Sequence, residues 1–492
     1  MKLNQLLYRV TGAAMLTLFA LTAHANDCTT PAAGDFYVDK DNGGSDSNNG
    51  HYTKDGGTGP FKTIQKLVDT LQAGQCGFVR QSSTPYYENT WRNGDYSGIT
   101  FSKGGTSDTN RIIVAGYPGE RPVVDQNRAA ATKGYSLTGF FVYGGSYITI
   151  RNFEVRNTTA SGISMNPSAT TSYVNVEGNH VHNVVGNGNP DNRGGIRIDY
   201  CDYCNIRNNI IHDSGDDDGA DGINGFQPGN TVVENNLIYN VALGVQLKQA
   251  DTNHLNALTV RNNIFVNIND AAYKMQLQGA GMPAPRNSLF YNNVVYNARV
   301  GVWADLAEAS EQAAGLKIYN NTFYKSGNIA NIANFTGIEV YNNIYSDWTN
   351  SYSSMESFIF STVKAASWVN SIGYFNYQLY FNASPKWEIE TYNSPLTLSS
   401  LLSWQSVTRD VTSPDMASKF ADPMFNVSAP ASAKVLAGDV SDFGLKSGSP
   451  GLNAGRNGET IGAVRSGVSI GPSGVAISTA PKPNPPTSVT VQ

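Results

Sequence analysis

The sequence predicts an all-β fold, a right-handed parallel β-helix solenoid with an N-terminal capping helix, and three observations predict it. One eight-residue phrase, apolar at its ends of alternation and rich in Asn, occurs eight times between Ile150 and Asp347. Its copies are IRNFEVRN, VEGNHVHN, IRNNIIHD, VENNLIYN, VRNNIFVN, FYNNVVYN, IYNNTFYK and VYNNIYSD, starting 26, 30, 27, 27, 30, 28 and 22 residues apart. The units carry β-branched residues, Asn and Gly without helical spacing, which separates them from leucine-rich repeats. A two-residue alternation ending in a polar turn cannot bury its apolar face alone, so the units must stack on one shared core. The second Asn of the pair (Asn179, Asn209, Asn236, Asn263, Asn293, Asn321, Asn343) recurs at one place in the unit. There a stacked Asn tolerates a tight bend and bonds its neighbours' backbone.

The elements follow in order. Residues 1–25 hold Lys2 and Arg9, the run AAMLTLFALTA and then Ala23-His24-Ala25, the layout of a secretory signal cleaved after Ala25. The mature chain is expected to be secreted, with 26–470 as a catalytic β-helix domain. FYVDKDNGGSDSNNG reads as a strand and loop, and FKTIQKLVDTLQAG places Ile64, Leu67, Val68 and Leu71 on one face of a helix that caps the first rung. Irregular rungs fill 78–149, and regular ones run from about 140 to 347. Over 348–420 the period is lost and aromatics crowd in, either as sugar-stacking platforms or as a cover for the end of the helix. FADPMF, DFGLKSGSPGLNAG and ETIGAV read as closing rungs. Residues 471–492 are a Pro-rich linker that leads towards a further module.

Without Lys2 and Arg9, 32 basic residues face 39 acidic ones, a net charge of −7. That suggests neither a nucleic-acid footprint nor an anionic-membrane surface, and no later stretch is apolar enough to span a bilayer. A monomer is expected. Cys28 and Cys76 are far apart, whereas Cys201 and Cys204 form a CxxC; structural disulfides are the preferred reading over metal or redox roles.

Aligned on their leading Gly, the strands GISMN, GIRID, GINGF, GVQLK, AYKMQ and GVWAD separate two faces. Ile163, Met165, Ile196, Ile198, Ile223, Val245, Leu247, Tyr273, Met275 and Val302 point to the core. One outward column is Ser164, Arg197, Asn224, Gln246, Lys274 and Trp303; the other is Asn166, Asp199, Phe226, Lys248, Gln276 and Asp305. Rungs stack about 4.8 Å apart, so the columns line an extended groove suited to a linear polymer. Charged, amide and aromatic groups mixed on one face suit polysaccharide recognition, with a merely solvated face as the plain alternative. DSGDDDGADG adds Asp213, Asp216, Asp217, Asp218 and Asp221 at the groove's edge, either a Ca²⁺ loop without EF-hand spacing or an acidic turn.

These residues resemble polysaccharide lyase family nine, the pectate lyase-like secreted β-helices, over roughly 140–350. In that family an ADGF segment supplies a calcium-binding Asp, DDGWD supplies three more on the next rung, and GFK carries the catalytic lysine. ADGI here gives Asp221 the calcium role by resemblance, and AYKM gives Lys274 the role of base. The middle segment departs: Ala242, Leu243, Gly244, Val245 and Gln246 stand in its place, so calcium would be absent or held by Asp216, Asp217, Asp218 and Asp199. The resemblance implies an acidic plant or algal polysaccharide as partner and β-elimination at a uronate, with the substrate carboxylate neutralised by Ca²⁺ or by Arg or Lys. Lys274 is the expected base with Lys248 second, Arg197 the carboxylate clamp, and Trp303 the stacking platform. Asn224, Gln246, Gln276 and Asp305 are expected to bind substrate. A hydrolase using Asp199, Asp221 and Asp305, a uronan epimerase and a non-catalytic carbohydrate-binding helix are the alternatives.

Overall fold

The computed structural model describes residues 27–88, 96–126, 136–165, 171–184, 193–214, 220–249, 258–277, 285–305, 313–333, 335–348, 358–361, 372–382, 387–391, 394–398, 400–408 and 415–473. The signal segment 1–25, and the linker from residue 474 on, lie outside them.

The phrase repeats because each copy is one rung. Its first strands pair in parallel one rung apart, so that Val176, Ile206, Val233, Val260, Phe290, Ile318 and Val340 stand in register in a 12-stranded sheet. The second and third strands of the rungs form a parallel 19-stranded sheet. The fold is a parallel β-helix, as the repeat predicts, and its side chains fill one long core from Val38 to Trp404.

The Asn pair divides its labour, where the sequence reading gave both tasks to the second Asn. The third residue of each phrase (Asn152, Gly178, Asn208, Asn235, Asn262, Asn292, Asn320, Asn342) and the eighth (Asn157, Asn183, Asp213, Asn240, Asn267, Asn297, Lys325, Asp347) have φ between 49° and 69°. These left-handed bends turn two corners of the rung, and short polar side chains or Gly pay least strain there. The fourth residue makes the ladder. Asn179 through Asn343 are fully buried, and each donates from Nδ2 to the amide oxygen one rung on at 3.0–3.2 Å. That same oxygen accepts the backbone N–H of the preceding ladder residue, as from Asn236 to Asn263 at 2.9 Å. Gln378, which the phrase does not reach, continues the ladder beyond the eighth copy.

The leading Gly of the third strand has an equally local cause. A Cβ at Gly162 would lie 2.2 Å from Val181, one at Gly195 2.4 Å from Ile211, and one at Gly222 2.5 Å from Ile238. The third strand folds over the core side chain of the second, and only Gly fits.

At the N-terminal end Ile64–Thr70 is the capping helix, with Ile64, Leu67, Val68 and Leu71 all buried. Thr63 caps it by accepting from the Lys66 N–H, and the buried Glu88 carboxylate accepts from the N–H groups of Ile64 and Gln65. Both disulfides form, Cys28–Cys76 and Cys201–Cys204, matching the structural reading of the cysteines. Of the aromatics after 348, Trp404 is fully buried and donates from Nε1 to Asp415 at 2.8 Å, while Tyr380 and Phe375 lie in the core, which favours an end cover over sugar platforms. Trp368 and Tyr352 lie outside the described residues.

The expected closing rungs are largely something else. Only Lys419–Phe420 adds a strand, to Leu379–Phe381. The rest of 415–473 is a strap that runs back down the outside of the helix. Phe425, Val435, Val440, Phe443, Ile461 and Ala463 cover the outward apolar residues Ile210, Leu237, Ile264, Val294, Tyr324 and Ile344. The Gly462 N–H bonds the Asn342 carbonyl at 2.9 Å, Arg465 donates to Asn292 Oδ1 at 2.9 Å, and the Gly471 N–H bonds the Asn262 carbonyl at 2.8 Å. No helix among the described residues is long and apolar enough to cross a membrane.

Candidate functional site

Strand register places the predicted columns as the alternation requires. Ser164, Arg197, Asn224, Gln246, Lys274, Trp303 and Asn331 are successive partners across the third strands Ser161–Met165, Arg193–Arg197, Ala220–Phe226, Val245–Gln249, Ile264–Leu277, Val294–Asp305 and Asn328–Ala333. Phe226, Lys248, Gln276 and Asp305 form the second line. All ten residues assigned to the core face are buried.

Exposure divides the first column. Arg197, Asn224 and Gln246 point away from the core yet are buried, whereas Lys274, Trp303, Lys248 and Gln276 retain partial exposure. Arg197 and Asp199 hold each other: Nη2 lies 2.5 Å from a carboxylate that is itself fully buried and also accepts the Phe226 N–H. The arginine expected to clamp substrate is thus engaged with Asp199, and both side chains are buried.

Around Lys274 the chain departs from the repeat. Ile264–Leu277 and Val294–Asp305 run unbroken through the corner at which other rungs divide into two strands, and their register slips between Ile268 and Ala271. The slip sets Asn269 and Asp270 against the single residue Arg299, a bulge of the kind that re-aims side chains. Asp270 lies 3.6 Å from Lys274 Nζ and 3.4 Å from Arg299 Nη1. Lys274 Nζ also sits 4.2 Å from the centre of the Trp303 ring, which rests on Leu243, Ala271 and Val300. A lysine, a carboxylate, an arginine and an indole thus meet at one place on the groove. Asp270 and Arg299 were missed in the sequence because the strands were aligned only from the leading Gly onward; Asp270 four residues before Lys274, at the Ala272 that replaces that Gly, was the available signal.

Beside this cluster runs a buried amide relay. Asn224 Nδ2 donates to Asp221 Oδ2 at 2.6 Å and to Gln246 Oε1 at 2.7 Å, and Gln246 Nε2 donates to Gln276 Oε1 at 3.0 Å. Burial pushes the Asp221 carboxyl up to about 7, against the pull of the Asn224 hydrogen bond and of the Lys248 and Lys274 charges. Asn224 Oδ1 has no partner among the described residues.

Ca²⁺ requires six to eight oxygens. Of the residues expected to hold it, Asp221 is buried beside Asn224 and Asp199 beside Arg197. Asp216, Asp217 and Asp218 lie outside the described residues, as does the side chain of Asp305.

Residues 138–323 match the family described as the right-handed β-helix region. No curated protein matches the sequence. Among solved structures, that of pectate lyase Pel9A is similar at 17% identity with a TM-score of 0.54, covering 91% of this chain and 99% of that one. A rhamnogalacturonan lyase matches at 14% identity and TM-score 0.45, over 84% of this chain and 95% of that one. A family 28 exopolygalacturonase from Yersinia enterocolitica matches at 15% identity and TM-score 0.42, over 72% and 73%. At 17% identity the likeness to the pectate lyase structure speaks for the fold alone.

Proposed function

We propose that the protein is a secreted polysaccharide lyase that cleaves a uronic-acid polymer, pectate-like by preference, by β-elimination with Lys274 as the base. The observation that carries this reading is the placement of Lys274: it stands in register at the exposed end of the column, between the Trp303 ring and the bulged Asp270. A sugar ring held at the edge of the indole would set its C5 proton beside Nζ.

The uronate carboxylate must be neutralised before the C5 proton can leave. Arg299 is the guanidinium nearest to Lys274 in this cluster, with its side chain 38% exposed, and Lys248 stands on the preceding rung. We assign the clamp to Arg299 in preference to the buried Arg197. Lys274 in its unprotonated form takes the C5 proton, the C4–O bond breaks with its electron pair on the glycosidic oxygen, which takes a proton from water and becomes the new reducing end, and a C4=C5 unsaturated uronate is left as the new non-reducing end. Asp270 orients Lys274 between turnovers. Gln276, at the exposed end of the amide relay, offers hydrogen bonds to sugar hydroxyls. If the Asp216 to Asp218 loop and Asp221 hold Ca²⁺, the ion supplies further charge for the same carboxylate.

The buried state of Asp199 and Asp221 speaks against a hydrolase that uses them as its acid pair, since both must reach the glycosidic oxygen or its water. Pectate, alginate and other uronans, offered to the secreted protein with and without a chelator, are followed by the ultraviolet absorbance of the unsaturated product and by reducing ends. Absorbance that rises with reducing ends is the expected result, and chelator sensitivity assigns the Asp cluster. Reducing ends without absorbance would replace the lyase by a hydrolase.

A further inference from the structure

Three of the chain's six histidines, His180, His182 and His212, lie on two adjacent rungs of the second-strand face, next to Glu154 on the rung before. We propose that Glu154, His180, His182 and His212 form a binding site for a divalent transition metal of the zinc class, separate from the groove and independent of the lyase reading.

The ligand atoms already converge. One atom each from Glu154, His180 and His182 lie within 4.8 Å of one another, with Glu154 Oε1 3.2 Å from His182 Nε2. His180 Nε2 lies 2.7 Å from His212 Nε2, a contact that in the metal-free chain requires one nitrogen to carry a proton and the other to accept it. Two nitrogens on one tetrahedral zinc sit roughly 3.3 Å apart, so these rings need part by only a fraction of an ångström to share an ion.

The surroundings are those of ligands rather than of a surface cluster. His212 Nδ1 is bonded to Asp213 Oδ2 at 2.9 Å, which leaves Nε2 facing His180, the outer-shell arrangement that orients metal-bound imidazoles. Asp213 is itself fixed by Asn240 Nδ2 at 2.9 Å. His180 Nδ1 is buried and has no partner among the described residues.

Other ladders of this protein stack without such convergence. Tyr291, Tyr319 and Tyr341 stack face to face at 4.6 and 4.9 Å, as structural rings do. His182, His212 and Tyr239 stack likewise, at 5.0 and 4.4 Å, but here His212 Nε2 also turns towards His180 Nε2 and His182 Nε2 towards the Glu154 carboxylate. Arg156 Nη1, 2.8 Å from Glu154 Oε1, and Arg121 are the cations that face the site. Three imidazoles and one carboxylate select zinc, cobalt, nickel or copper over calcium or magnesium, and four protein ligands leave no open position, so the ion would clasp three rungs rather than do chemistry.

The full-length secreted protein is stripped with a chelator and titrated with Co²⁺, and the visible absorption of the bound ion is followed. The expected result is one Co²⁺ per chain with tetrahedral absorption, displaced by Zn²⁺ and not by Ca²⁺. His182→Ala and Glu154→Gln should each weaken binding strongly, Asp213→Asn should do so on the order of 10–100-fold as an outer-shell change, and His51→Ala should change nothing. Zn²⁺ should raise the melting temperature of the wild type and leave that of Glu154→Gln, which keeps the shape of the site, unmoved. Absence of Co²⁺ absorption, or binding that survives both His182→Ala and Glu154→Gln, would overturn the proposal.

Discussion

Two columns of side chains climb the same helix with the same step and have opposite character. At the corner, Asn179, Asn209, Asn236, Asn263, Asn293, Asn321 and Asn343 repeat one residue with one set of bonds, all fully buried. On the third strands, Ser164, Arg197, Asn224, Gln246, Lys274, Trp303 and Asn331 change at every rung. Repetition marks what the stack needs at each level. Variation at an otherwise repeated position marks what only one level needs, and the strand bulge falls where the variation brings Lys274 and Trp303 together.

The sharpest way to test this division is to remove one member of each column. Lys274→Ala should lower kcat on the accepted uronan by 10²–10⁴-fold, the range for a positioned base, with the melting temperature nearly unchanged. A fall in stability comparable to the fall in activity would return Lys274 to the scaffold. Asn263→Ala should do the reverse. It strands the Val233 carbonyl and the Asn236 N–H, each worth about 1–3 kcal/mol when buried unsatisfied, so denaturant midpoints should drop while kcat of the remaining folded enzyme holds.

A third change probes the boundary between the two columns. Burial raises the Asp221 carboxyl from its ordinary 3.8 to about 7 in the folded chain, so the folded state binds its proton more tightly and wild-type stability is lost as pH rises from about 4 through 7. Asp221→Asn mimics the protonated form and has no such loss. Its stability relative to wild type should therefore climb over that window and level off above it, as read from denaturation at several pH values; a flat difference would mean that a cation satisfies Asp221. The smallest effect is expected from Trp303→Leu, which removes the ring beneath Lys274 but keeps an apolar side chain on Leu243 and Val300. KM should rise several-fold, the order of about 1 kcal/mol for a lost stacking or cation–π contact.

The fold was legible because its cause is periodic. Eight phrases gave the rungs, the two-residue alternation gave the core face, and the Gly–apolar pattern set the register of Asn224, Gln246, Lys274 and Trp303 correctly. What was not legible depends on departures from the period. The bulge at Asn269 and Asp270 inserts a residue that no alternation announces, and with it went Asp270 and Arg299. The burial of Arg197 and Asp199 likewise follows from their mutual contact, which a column drawn on paper leaves facing solvent. The strap was misjudged because its apolar residues are matched to the outward face of distant rungs, a partner that local spacing does not reveal.

That strap also bears on how the chain folds and comes apart. A plain stack of rungs is bound only to its neighbours, so it can fray from either end and can nucleate wherever a few rungs meet. Here Arg456 reaches Asn342, Arg465 reaches Asn292 and Ser473 reaches Asn208, contacts that join residues 114, 173 and 265 positions apart. Such closures cost loop entropy and come late, after the rungs they span have formed. Once made, they tie those rungs into one cooperative unit, so that loss of the last turn of the stack is opposed by contacts near its middle. A chain that crosses a membrane N-terminus first would therefore assemble its rungs in order and be locked by the strap that follows them.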